Sequence, residues 1–263
     1  MFSIPSLLGL LVLGAGAGAI SASLGLGGGI IMVPAFIEFV GMDPHTAKGT
    51  SLLIIIFIAA LNAWRLNRGY GDQRWALATF LAGGSIVGGY FGGWITSRMS
   101  PSAVLWIFIG LLGLLGLRTF FLEPKEVREE NTRQRYSLAV AIGILTGVVS
   151  GATGTGGGVV LVPLALMAAL VTNERVVGLS NLVMVATSIA ATLAHLRAEP
   201  ISNLPWTVGQ VNFAVAPAVF IGAQIGSPWG KKLNDRLTLP RRRMAMGVLL
   251  ILIVVRLVAR AVK

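Results

Sequence analysis

The chain has 263 residues, of which 55% are hydrophobic and only 12% charged. A soluble domain of that length carries roughly 25% charged residues, so most of this chain has no water-facing surface to build. With no cysteine, disulfides and thiolate sites are excluded; two histidines leave little for a metalloenzyme; and the net charge of +11 sits in short loops, where membrane topology explains it better than nucleic acid does.

In chain order, residues 1–20 run into apolar sequence that continues past any signal-peptide core. A glycine cluster, Gly25-Leu26-Gly27-Gly28-Gly29, breaks that segment, and the apolar sequence then resumes towards Pro34 and Glu38. Apolar stretches of about 20 residues, the length that spans a bilayer, follow at 46–66, 75–97 and 102–122. Residues 123–136 are polar. The second half opens with a segment broken at Gly154-Thr155-Gly156-Gly157-Gly158 and continues with spans at 176–196, 208–230 and 241–261. The expectation is an all-α integral membrane protein of two homologous halves, 1–122 and 137–263, joined by a cytoplasmic linker at 123–136. Each half is a glycine-broken helical hairpin followed by three transmembrane helices.

The repeat is visible residue by residue. Residues 21–34 read SASLGLGGGIIMVP and residues 150–163 read SGATGTGGGVVLVP. At the same shift Gly49, Ser51 and Arg68 fall opposite Gly178, Ser180 and Arg197; after a small insertion Gly88 and Gly92 match Gly222 and Gly226. Basic residues favour inversion of one half relative to the other. In the inverted arrangement residues 65–74, 118–135, 175 and 231–243 bring most of the lysines and arginines to one side, the cytoplasmic one. Lys48, Arg98, Arg197, Arg256, Arg260 and Lys263 remain on the other, with both termini outside.

Glycine costs about 1 kcal/mol relative to alanine inside a helix, so three in a row break it. Broken backbone at membrane depth is tolerated only where protein buries it or a wet cavity lines it. The helix that resumes after each break offers free N–H groups and a partial positive charge, which together suit an anion. The candidate solute-binding residues are therefore Gly27, Gly28, Gly29, Thr155, Gly156, Gly157 and Gly158, with Thr50, Ser51, Ser180, Asn181 and Gln224 as nearby polar groups. Glycine can also serve simple close packing, which is the reading for Gly83, Gly84, Gly110 and Gly113. Glu38 is expected at the interface, and Lys48 stands where it could draw in an anion. Arg118 and Arg256 read as snorkelling, His195 as solvated in a short loop beside Arg197, and the six tryptophans as interfacial anchors.

The motifs GLGGGIIMVP at 25–34 and GTGGGVVLVP at 154–163, with the A-x-G-T-S run at 47–51 and the basic turn at 65–69 followed by Asp72 and Trp75, resemble the TauE/SafE family of membrane permeases, named for sulfite exporters. The resemblance covers essentially the whole chain. It implies transport of a small sulfur-containing anion, a sulfonate or sulfur oxyanion, in a bacterial-type inner membrane, with possible proton or sodium coupling. No cofactor, metal or nucleic-acid partner is expected, and the chain lacks the nucleophile–base pair or nucleotide loop of an enzyme. The alternative is an uncoupled, channel-like anion facilitator. Leu179 opposite Thr50 and Asn181 opposite Leu52 make the site only approximately two-fold.

Overall fold

A chain that is apolar on nearly every side can satisfy its backbone in a bilayer only as helices or a closed β-barrel, and most of the described residues are helical. The computed structural model describes residues 4–68, 75–121, 127, 129–133, 135–201 and 203–261. Within them the first half contains α1 (Ile4–Leu24), the short α2 (Gly29–Ala35) continued by a wider turn over Phe36–Val40, α3 (Pro44–Asn67), α4 (Trp75–Thr96) and α5 (Pro101–Phe121). The second contains α6 (Tyr136–Thr153), the short α7 (Gly158–Met167), α8 (Val176–Leu196), α9 (Ala216–Arg236) and α10 (Leu239–Ala261). Of these α1, α3, α4, α6 and α8 are long and apolar enough to cross a membrane by length and composition, and the chain is a multi-pass membrane protein. Asp72, Arg74, Lys125, Arg128, Lys263, most of the expected linker and the side chains of Arg118, Arg242, Arg243 and Arg260 lie outside the described residues.

Local chemistry sets the helix ends. Gly41, at φ 74°, stops the wide turn. Asp43 then accepts the N–H groups of His45 at 2.9 Å and Thr46 at 3.1 Å, and Pro44 opens α3 where no N–H is needed. The span expected at 208–230 instead begins at Ala216. Ahead of it Trp206 (φ 62°) and Gly209 (φ 57°) turn the chain into a small antiparallel hairpin, β1 (Thr207–Val208) and β2 (Val211–Asn212). Polar Gln210 and Asn212 break the apolar run there.

The halves interlock. A Cβ on Gly84, Gly88 or Gly92 of α4 would land on the backbone carbonyl of Val140, Ile144 or Val148 of α6. A Cβ on Gly222, Gly226 or Gly230 of α9 would land on that of Leu11, Ala15 or Ala19 of α1. The two triplets pair with repeat-equivalent residues, so Gly84 matches Gly222 and Gly88 matches Gly226, one turn away from the register read in the sequence. Lipid gives little hydrophobic drive between helices, so backbone-to-backbone approach of this kind is a main source of cohesion. Gly84, with Gly88 and Gly92, serves packing as expected; Gly83, Gly110 and Gly113 face open space. Outer faces carry large apolar side chains such as Phe80 and Phe91 on α4 and Ile221 and Ile225 on α9, and all six tryptophans are exposed.

At the centre, α3 and α8 pack antiparallel. Asn67, the last residue of α3, donates from Nδ2 to the carbonyl of Gly178, in the first turn of α8, at 3.3 Å. At the other end the hairpin that follows α8 ties back to the start of α3: the Asn212 N–H donates to Thr50 Oγ1 at 2.9 Å.

Candidate functional site

The two glycine turns meet, and they do so reciprocally. The Ser51 hydroxyl donates to the Gly154 carbonyl at 2.9 Å, and the Ser180 hydroxyl donates to the Gly25 carbonyl at 2.8 Å. A Cβ on Gly29 would strike the Gly154 carbonyl, and one on Gly158 would strike that of Gly25. Gly27 lies against Met184 and Gly156 against Ile55; Gly28 lies against Ala17 and Gly157 against Thr146. Each pair consists of repeat-equivalent residues, although the close approach of Gly27 to the Thr155 carbonyl has no such counterpart at Gly156. Positive φ at Gly25, Gly27, Gly154, Gly156 and Gly157 would strain any residue with a side chain. After each turn the first N–H groups of α2 and α7 have no acceptor within their own helix.

The polar residues predicted for the site fall into four groups. Ser51 and Ser180 hold the turns. Asn181 binds Ser21, accepting from its hydroxyl at 3.2 Å and donating to the Val177 carbonyl at 2.9 Å, while Thr155 and Thr153 hydroxyls pair at 3.0 Å. Thr50 anchors the hairpin. Gln224 stands one turn beyond Phe220, which packs on Phe57 of α3; its amide is buried without a hydrogen bond, and none joins it to the turns.

Beyond the turns the two ends of the α3–α8 pair differ. At the Asn67 end a cavity of about 260 Å³ is lined by Leu66, Arg68, Glu174, Val177 and Gly178, with Lys231, Asn234 and Asp235 of α9 opposite. At the other end Lys48 is only 1% exposed and its ammonium donates to Thr96 Oγ1 at 3.1 Å. His195, expected in a solvated loop, is instead fully buried in the last turn of α8. Its Nδ1 lies 2.9 Å from Oε1 of Gln210 and its Nε2 3.3 Å from the Gly151 carbonyl oxygen. Burial follows because α8 runs on to Leu196 and the hairpin folds back over its end, a long-range contact with no local sequence signal. Gln210 completes the closure, donating from Nε2 to the Ser97 carbonyl at 3.1 Å. His45 is also fully buried, and neither ring nitrogen has a side-chain partner; the Met99 backbone lies beside the ring. Sequence reasoning gave His45 no role; its spacing three residues before Lys48 on one helix was the available signal. Glu38 is taken up in an ion pair with Arg256 of α10 at 3.1 Å. Among the described residues no group of acidic, histidine or cysteine side chains could hold a metal ion.

Comparison with known proteins agrees with this architecture. The chain is similar to the probable membrane transporter protein YunE of Bacillus subtilis, 26% identical over 272 residues, covering 93% of this chain and 94% of that protein. It is also similar to a probable membrane transporter protein of Methanocaldococcus jannaschii, 25% identical over 92% of this chain and 91% of the relative. A third, from Xylella fastidiosa, is 26% identical over 96% of this chain and 95% of the relative. No solved structure matches. The family model described as sulfite exporter TauE/SafE matches residues 10–257, from α1 into α10. The chain belongs to the TauE/SafE family.

Proposed function

We propose that this protein carries a small anion, a sulfonate or sulfur oxyanion of the sulfite, thiosulfate or sulfoacetate class, across a bacterial-type inner membrane as a secondary transporter. The observation that carries this reading is the reciprocal crossing of two glycine turns at the centre of the helix bundle. The same element from each half places the start of a helix beside the other half's backbone, the arrangement that inverted-repeat carriers use around a midplane site. The proposed solute-binding groups are the backbone of Gly27, Gly28, Gly29, Gly156, Gly157 and Gly158, the hydroxyls of Ser51, Ser180, Thr155 and Thr50, and the amides of Asn181 and Gln224. The turns touch backbone to backbone, so the solute sits beside the crossing and not between them.

The antiparallel packing of α3 on its repeat partner α8 supports inversion of the halves across the bilayer. Combined with the basic residues of the 65–74 and 231–243 segments, it supports a cytoplasmic position for the end with the cavity and an external one for the Gln210 end. A cavity at one end of the α3–α8 pair and close packing at the equivalent positions of the other fit a carrier better than a channel-like facilitator.

Uptake of labelled sulfite, thiosulfate and sulfoacetate into proteoliposomes, with and without proton and sodium gradients, tests the function. Transport that continues unchanged when both gradients collapse would assign the facilitator. Cysteines introduced at Arg98 and Arg241 test the topology in this cysteine-free chain, and labelling of both from the same side would overturn the inversion.

A further inference from the structure

The cavity at the Asn67 end has a counterpart at the other end of α3 and α8, and the counterpart is shut. The repeat pairs Leu66 with His195, Glu174 with His45, Val177 with Lys48 and Gly178 with Gly49. The glycine contacts of α4 and α9 set the register that pairs Asn234 with Thr96. At one end these positions line about 260 Å³ of space. At the other, Lys48 lies on Thr96, Gln210 engages His195, and a Cβ on Gly49 would strike the Gln210 carbonyl.

We propose, building on the anion-transport reading, that the shut end opens into a second cavity when the 207–212 hairpin lifts, and that Lys48, His45 and Thr96 form an anion subsite there that the first cavity lacks. Two buried groups point to a ligand. The Lys48 ammonium has three protons to donate and one neutral acceptor. Among the described residues no carboxylate lies within ion-pair distance of it, and Asp43, the nearby carboxylate, is bound to the first N–H groups of α3. Burying an ammonium this way is costly without a counter-charge, which a compact oxyanion supplies together with several acceptor oxygens. His45, one turn earlier on the same face, has no side-chain partner for either ring nitrogen, only the Met99 backbone beside it. His195 is not a ligand: its nitrogens are occupied, and it forms the latch between α8 and the hairpin. Val177 stands where Lys48 would be in the first cavity, whose cations, Arg68 and Lys231, share the lining with Glu174 and Asp235, so a buried cation without a carboxylate belongs to the shut end alone among these positions.

The test uses the full-length protein, with sulfite, thiosulfate, sulfoacetate and sulfate as probes in calorimetry. Lys48→Met should weaken binding of the best probe about tenfold to a hundredfold, the usual loss for a charge-assisted hydrogen bond, and Lys48→Arg should recover part of it. Single cysteines at Thr96 and Asn234 then report opening independently of Lys48 folding. Thr96→Cys should react with an impermeant maleimide only from the face opposite to that which labels Asn234→Cys, and the bound probe should slow its reaction. Undiminished binding in Lys48→Met overturns the subsite, and Thr96→Cys that stays inert from both faces overturns the second cavity. Failure of the wild-type protein to bind any of the four probes overturns the anion reading, while the labelling result still decides whether the shut end opens.

Discussion

The two glycine turns share their reciprocal contacts and little of what surrounds them chemically. Each turn's carbonyl is held by the serine of the opposite half, and each following helix starts flush against the other turn. Around that common frame the halves diverge: Lys48 is equivalent to Val177, His195 to Leu66, Thr50 to Leu179, and Asn181 to Leu52. The lesson is a division of labour. Positions set by close approach stay equal because no side chain fits there, whereas positions one layer out are free to give each end its own polarity.

Breaking the shared frame should have the largest effect. Gly29→Ala and Gly158→Ala each drive a methyl into a carbonyl of the opposite turn, and overpacking of this kind costs about 1–3 kcal/mol or more. Both variants should insert into the membrane, lose most transport in proteoliposomes and melt earlier; wild-type transport in both would show that the crossing is not the working element. Next come Gly157→Ala and Gly28→Ala, which sharpen the comparison because the equivalent residues differ in backbone. Gly157 has φ 89° and Gly28 has φ −68°. The left-handed position adds about 1–2 kcal/mol of strain, so Gly157→Ala should be the less stable of the two in thermal unfolding.

Ser51→Ala and Ser180→Ala each leave a buried carbonyl without its donor, at about 1–3 kcal/mol. Their reciprocity predicts nearly equal losses of melting temperature; a large inequality would show that the two-fold relation is only skin-deep. The smallest effect belongs to the outer layer. Asn181→Leu makes the second half like the first and strands the Ser21 hydroxyl, for about 1 kcal/mol. Ser150, the repeat partner of Ser21, already lacks a partner opposite Leu52, so Leu52→Asn should offset part of that loss in a stability assay.

Much of this was legible beforehand. The glycine clusters, the duplication and most helix bounds follow from composition and spacing, because a bilayer allows few alternatives to a helix. What the sequence could not give was contact between distant segments. Residues 208–215 read as the start of a span because they are largely apolar; only tertiary contacts reveal them as a hairpin and cap over Thr50 and His195. The register of Gly84 to Gly222 needed the partner helix, since a row of glycines four apart matches itself equally well one turn along. Lys48 read as a residue that could draw in an anion and His45 carried no reading; their burial depends on α4, α8 and the hairpin closing over them.

The glycine faces also constrain how the protein is made. Synthesis delivers α1 first, yet its close-packed partner is α9, and α4 fits against α6. Until α9 arrives, α1 stands in the bilayer with its small-residue groove unfilled. Neither half therefore completes its own packing: α1 is covered only when α9 is threaded back onto it. A chain truncated before α9 should accordingly present quality-control proteases with an orphan helix, however well its remaining helices have inserted.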